Sequence, residues 1–276
     1  MQKKLSSLEL SEISQRLESL KILLIGEQCR DEYHYGTVDR ISPEAPVPVF
    51  DYERTEVRPG MAGNVYHNLK AFGCSVDFIS NDEHKIIKRR FVDSRLNQQL
   101  LREDIGQEVE SLLIKDLPDL SQYDAIVFSD YSKGLINWDY AKEVCTKANC
   151  NIFVDSKSLD LSCYPNSVIK INQKEYNEGP CFCQPYELII TRAKDGAIWN
   201  DRVYPAPPVS VYDVSGAGDV FHATLSVIST VTDDIDMGIK CAVKLATKSV
   251  GHVGTYCITK EDIMEVLSES FELCQA

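Results

Sequence analysis

The run Ile22-Leu23-Leu24-Ile25, closed by Gly26, limits the fold more than any other segment. Four branched aliphatic residues are too few for a helix and leave neither face polar. A strand buried on both faces belongs in a parallel sheet covered by helices on either side. Further strands are expected at 75–80, 124–129, 151–155, 167–171, 187–191 and 209–212, with helices over 61–73, 138–148 and from about 217. Strands alternating with helices predict an α/β, doubly wound, mostly parallel sheet, with ligands at the carboxyl ends of its strands. Ser6 and Glu9, at capping-box spacing ahead of Leu10, Ile13, Leu17 and Leu20, predict a helical extension over residues 1–20. Residues 21–276 then read as one domain. Within it, the proline-bearing stretch 46–57 reads as an edge strand and 86–104 as strand-like.

The chain has 276 residues and a net charge of −13, which argues against a nucleic-acid partner or an anionic membrane surface. No apolar run approaches the roughly 18 residues of a membrane span. Met1–Leu20 lacks the apolar core of an export signal, so the ten cysteines are expected to be reduced thiols in a cytoplasmic protein. Cys74 and Cys241 read as small core residues.

The segment most suggestive of chemistry is Tyr212-Asp213-Val214-Ser215-Gly216-Ala217-Gly218-Asp219-Val220-Phe221. Small residues at a helix start let backbone N–H groups approach an anion, and the helix adds a partial positive charge. Asp219, in the first turn, could take a proton from an attacking hydroxyl. It could equally be an acidic residue favourable at the helix dipole, and the residues alone do not separate the two. Asn172 and Glu175 are spaced as a helix cap with its N3 acid. Asp31 reads as a turn cap, and Asp130 with Lys133 as an exposed pair. The basic run Lys85, Lys88, Arg89, Arg90, Arg95 and Arg102 reads as a solvated face or, in so acidic a chain, as a site for a small phosphate. Neither a P-loop nor a dinucleotide fingerprint is present. The histidines suggest no role.

Asp213 to Asp219, as D-x-x-G-A-G-D, resembles the C-terminal signature of the PfkB-type carbohydrate kinases, in the ribokinase-like superfamily. The stretch YGTVDRISPEAPVPV at 35–49, Arg58-Pro59-Gly60, Asn64-Val65, NQQLLR at 97–102, SDYSKG at 129–134 and Asp155-Ser156-Lys157 are similar to the bacterial heptose-7-phosphate kinases of that family. The resemblance covers about 21–263 and implies a ribokinase-like sheet with a small β lid from about 33–57 and 86–104. It implies ATP and Mg²⁺, and leaves a monovalent cation open. It makes Asp219 the general base and Gly216, Ala217 and Gly218 the anion hole. Asn172 and Glu175 would organise Mg²⁺ and phosphates through water, while Thr191, Arg192, Gly196 and Lys157 fall on the nucleotide side. Asp31, Gly60 and Asn64 would grip sugar hydroxyls, with Arg90, Arg102, Asp130 and Lys133 also on the acceptor side.

Four departures stand out. Glu27 replaces the usual aspartate after Gly26, adding a methylene where a sugar would approach, and Met61 in place of a second glycine puts a flexible thioether beside the sugar pocket. The segments near 80–85 and 176–187 are short for the family. No H-x-G-H motif of a fused cytidylyltransferase follows, so only the kinase half is expected. The resemblance implies transfer from ATP to C1 of D-glycero-D-manno-heptose 7-phosphate, by a homodimer joined through its lids. Its rivals are a kinase for another sugar or sugar phosphate, and a non-catalytic nucleotide- or sugar-binding accessory protein.

Overall fold

In a computed structural model of the chain, residues 7–273 are described except positions 107, 185 and 253. Ser6 lies outside the described residues, and the expected Ser6–Glu9 capping pair with it. Helix α1 (Ser7–Ser19) leads into β1 (Lys21–Gly26). Next come β2 (Gln28–Ile41), β3 (Pro48–Met61), α2 (Ala62–Ala71), β4 (Ser75–Ile79), β5 (Ile87–Asp93) and β6 (Gln98–Ile105). The following unit is β7 (Ala125–Asp130), α3 (Trp138–Lys147), β8 (Asn151–Ser156), β9 (Asp160–Leu161) and β10 (Ser167–Asn172). Beyond it lie α4 (Gln173–Asn177), β11 (Cys181–Phe182), β12 (Tyr186–Thr191), β13 (Ala197–Trp199) and β14 (Arg202–Tyr204). Helices α5 (Ala217–Thr232), α6 (Ile235–Ser249) and α7 (Lys260–Leu273) complete the described chain.

Eight strands form the central sheet in the order β14-β13-β12-β10-β8-β7-β1-β4. Every pair from β12 to β4 is parallel, and the two pairs at the edge, β12–β13 and β13–β14, are antiparallel. The apolar run acts as its composition requires. Ile22 and Leu24 enter the layer shared with α2, α5, α6 and α7, whereas Leu23 and Ile25 enter the layer shared with α3. All four are fully buried, each contributing about 1.5–3 kcal/mol. Cys74 and Cys241 sit in the first layer, and the nine described cysteines are free thiols.

One expected strand is absent. Residues 209–212 are not paired, because the sheet ends at β14 and no strand lies beside them. Val209, Val211 and Tyr212 are exposed, and the Tyr212 N–H donates to Val250 O at 2.9 Å. Their alternation is real, but a strand also needs a partner.

A second sheet, β3-β2-β5-β6, stands apart. It contains the expected segments and extends from Gln28 to Met61 on its long hairpin. Asp31 pairs with Arg58 on one side and Lys88 on the other, Tyr33 with Arg90, and Arg90 with Arg102. Directly paired residues share a face, so this register gathers acidic, basic and tyrosyl side chains together.

Candidate active site

The carboxyl ends of five neighbouring strands converge, as expected for a doubly wound sheet. Glu27 follows β1, Asp130 ends β7, Lys157 follows β8, Asn172 ends β10 and Thr191 ends β12. Helix α5 begins against the same edge. Its N-cap is Gly216 at φ 80°, a left-handed conformation that glycine adopts without strain. A Cβ there would come within 2.6 Å of Asn64 Nδ2. No side chain caps this helix. Asp213 fixes the preceding loop by accepting from Ser215 N–H at 2.8 Å and Gly254 N–H at 2.9 Å.

Asp219, 7% exposed, lies in the first turn of α5. It accepts from Asn64 Nδ2 at 3.0 Å and from the Tyr131 hydroxyl at 2.7 Å. Burial raises its pKa, and those two hydrogen bonds oppose the rise. The result is a positioned carboxylate, more basic than an exposed one, beside an uncapped helix start.

Beneath it runs a buried charge network. Lys170, in the middle of β10 and 3% exposed, has Nζ 2.6 Å from Asp155 Oδ2. The same Nζ lies 3.3 Å from where a Cβ on Gly218 would be, which places a cation against the first turn of α5. Burial alone would raise the Asp155 carboxyl, but Lys170 and Lys157 outweigh it and hold it well below the usual range. Lys157 bridges Asp155 at 3.2 Å and Glu175 Oε1 at 2.7 Å. Its own pKa is raised, the two carboxylates outweighing desolvation. His222, fully buried, bonds Phe128 O at 2.9 Å and is lowered to about 4 by burial.

Asn172 and Glu175 form the full capping box, at 2.9 and 2.8 Å. The bland reading of that pair is therefore realised, and Glu175 also holds Lys157. Beside them a cleft of about 550 Å³ is lined by Asn172, Gln173, Thr191 and Arg192 among others. The Arg192 Nε is buried with no partner among the described residues. Gly196, at φ 82°, closes the turn after β12, where a Cβ would strike the Tyr204 carbonyl. Another cavity, of about 520 Å³, lies near Arg16, Asp124, Asn149 and Thr230, at the opposite ends of β7 and β8.

On the other side, Asp31 is buried and takes the Arg90 guanidinium at 2.7 Å. It is mid-strand and not a turn cap. A Cβ on Gly60 would collide with the Asp31 carboxylate and the Cys29 sulfur. The Arg58 and Arg90 guanidiniums both lie over the Tyr33 ring, at 5.2 and 5.1 Å. Arg102, although paired with Arg90 in register, is held by Asp104 at 2.6 and 2.8 Å and is half-exposed. Asp130 is buried and accepts from Ser156, Ser132 N–H and Tyr164, so it is no exposed partner of Lys133.

Glu27 directs its longer side chain to the backbone of a neighbouring loop. Its fully buried carboxylate accepts from the N–H groups of Tyr131, Lys133 and Leu135, at 2.8, 3.0 and 3.2 Å. The extra methylene lets it tie down the loop that carries Tyr131. Sequence reasoning missed Tyr131 and Lys170. The lysine did leave a signal, a charge inside the apolar strand Val168–Ile171.

Among the described residues no group of three His, Cys, Asp or Glu could cage a metal. Magnesium that arrives with a nucleotide keeps several waters and needs only one or two carboxylates, a form of binding that the partly open Glu175 fits and the buried, lysine-clamped Asp155 does not. No helix is long and apolar enough to cross a membrane, among the residues described.

Residues 183–261 match the profile of the pfkB family carbohydrate kinases. The chain is 32% identical to the bifunctional protein HldE of Nitratiruptor sp. over 89% of its own length and 64% of the relative's. It is 30% identical to that of Sulfurimonas denitrificans, with the same coverage. It thus spans 64% of the length of these curated relatives. Among solved structures, ribokinase from Thermotoga maritima aligns with a TM-score of 0.65 at 14% identity, covering 90% of this chain and 99% of that one. Phosphofructokinase-2 from Escherichia coli, in complex with potassium, aligns at 0.68 and 13%, covering 92% and 99%. At such identities the likeness establishes a ribokinase-like fold.

Proposed function

We propose that the chain is a pfkB-type carbohydrate kinase, an ATP-dependent sugar kinase whose acceptor is the C1 hydroxyl of D-glycero-D-manno-heptose 7-phosphate. The observation that carries this reading is Asp219, a buried carboxylate held by Asn64 and Tyr131 at an uncapped helix start. A protein that only binds has no need of a base so placed. The HldE relatives support the heptose.

In this reading Asp219 takes the proton as the acceptor oxygen bonds to the γ-phosphorus and the bond to ADP breaks. Backbone N–H groups from Gly216 to Gly218, with Lys170 beneath them, face the charge on the transferring oxygens. Thr191, Arg192 and Asn172 line the nucleotide cleft, with Gly196 shaping its turn. Lys157 and Glu175 link that cleft to the base through Asp155 and Lys170. Magnesium bound with the nucleotide would neutralise phosphate charge. The potassium-bound neighbour supports testing a monovalent cation as well.

Asp31, Gly60, Asn64 and Arg90 define the acceptor side, with Lys133 at its rim. The second sheet acts as a lid that excludes water, and its free edges pair two copies into a homodimer. The protein acts in the cytoplasm. A second reading keeps the chemistry but changes the sugar phosphate, and Met61 is the residue that favours it.

The test is ADP release with ATP and a panel of sugar phosphates, for wild type and Asp219→Asn. The variant should lose about 10²- to 10⁴-fold in turnover, as expected for a general base, while still binding ATP in calorimetry. Near-normal turnover would remove Asp219 from the mechanism. Transfer to other sugars but to no heptose phosphate would establish the second reading.

A further inference from the structure

We infer that Met61 is a specificity-determining residue of the acceptor pocket, its side chain occupying volume next to the reacting hydroxyl and so setting which sugar phosphates fit. The inference rests on the kinase reading above. Met61 has φ 58° and ψ −134°, a conformation natural to glycine and strained for a residue with a Cβ. Most other described non-glycine residues with positive φ are Asn or Asp, which tolerate it; Met61 is a long apolar residue in their place.

The surroundings explain how the strain persists. Met61 is paired with Gln28 at the end of β3, and the next N–H, of Ala62, donates to Glu27 O at 2.9 Å. Helix α2 begins at once. The side chain is 3% exposed and packs in a small cluster with Cys29 and Ile86, against which Val109 and Tyr131 are also packed. Two of these neighbours lead to the acceptor site. Cys29 is 4.0 Å from the Asp31 carboxylate, its thiol pushed up to about 12 by burial beside that charge. Tyr131 bonds Asp219, and Asn64, in the first turn after Met61, bonds its other oxygen. The thioether thus fills the corner between the lid, the Tyr131 loop and the base. A methionine kept in a glycine conformation at that corner puts side-chain volume where glycine would leave none.

The experiment compares wild type, Met61→Ala, Met61→Gly and Met61→Leu with ATP and five-, six- and seven-carbon sugar phosphates. The alanine and glycine variants should raise kcat/KM for the bulkier acceptors relative to the smaller by about 10-fold or more, the scale on which a few methylenes discriminate. The KM for ATP should stay put, and Met61→Leu should hold the wild-type ratio. Thermal unfolding of the same variants separates the effects, because glycine relieves the backbone and alanine does not, although both empty the corner. An equal change for every acceptor, or a leucine variant behaving like alanine, overturns the inference alone. A wild type that transfers to no sugar overturns the kinase reading, and this inference with it.

Discussion

Asp219 sits where its charge is disfavoured. Burial raises its folded pKa above the unfolded value, so its contribution to stability is present below the unfolded pKa and is lost as pH rises through the folded one. At neutral pH the ionised carboxylate therefore weakens the fold, and Asp219→Asn should unfold at a higher urea concentration than wild type even as its turnover collapses. A less stable variant at pH 7 would contradict the raised pKa. Tyr131 can be tested through the same group. Its hydrogen bond opposes the burial effect, so Tyr131→Phe should raise the Asp219 pKa further and move the acidic limb of the kcat profile to higher pH. An unmoved limb would leave Tyr131 a packing residue only. Asp219 and its glycines stood out as candidates because the carboxylate and the small-residue helix start lie within one heptapeptide. Tyr131 was not, since it reaches Asp219 across 88 positions of chain and no spacing marks it.

Elements were legible where their burial is one-dimensional. Strands such as β1 and β7 announce themselves because both faces are apolar, and the alternation of their residues between two layers follows. The segment 209–212 shows the limit, as a pattern fixes a face but cannot supply a neighbour. The three-residue strands β13 and β14 pass unnoticed for the opposite reason, being too short to show a period. Glu27 sharpens the point at the loop after β7. Its extra methylene pointed toward a sugar, yet its carboxylate satisfies three backbone donors of residues 131–135. Glu27→Ala would leave those donors buried without partners and should destabilise the protein by about 2–5 kcal/mol in urea titration. Glu27→Gln retains one acceptor oxygen and should lose less. Because Asp219 depends on the loop through Tyr131, the alanine variant should also lower kcat more than it raises the KM for ATP. A loss confined to stability would mean that the loop does not position the base.

For the molecule as a whole, the question is what covers the second sheet. Its edge strands are β3 and β6, and every residue of β6 is exposed. Leu96, Leu100, Leu101 and Ile105 lie open on or beside β6, and Tyr52 and Val57 on β3. An unpaired edge with apolar side chains is an aggregation hazard unless something closes it. The four-stranded sheet carries salt bridges such as Arg89–Glu103 and Arg102–Asp104, which would keep a contact with a second copy wet and specific at its rim. A self-complementary pairing about a two-fold axis is the simplest closure, because the same patch serves both copies. In analytical ultracentrifugation the wild type should sediment as a dimer at micromolar concentration. Tyr52→Lys with Leu101→Lys should give a folded monomer with an unchanged urea midpoint for the central sheet. Such a monomer should also show faster sugar-independent ATP hydrolysis, because a lid without its counterpart excludes water less well. If the wild type stays monomeric at every concentration, the lid edge must be managed within one chain, and the dimer proposal fails.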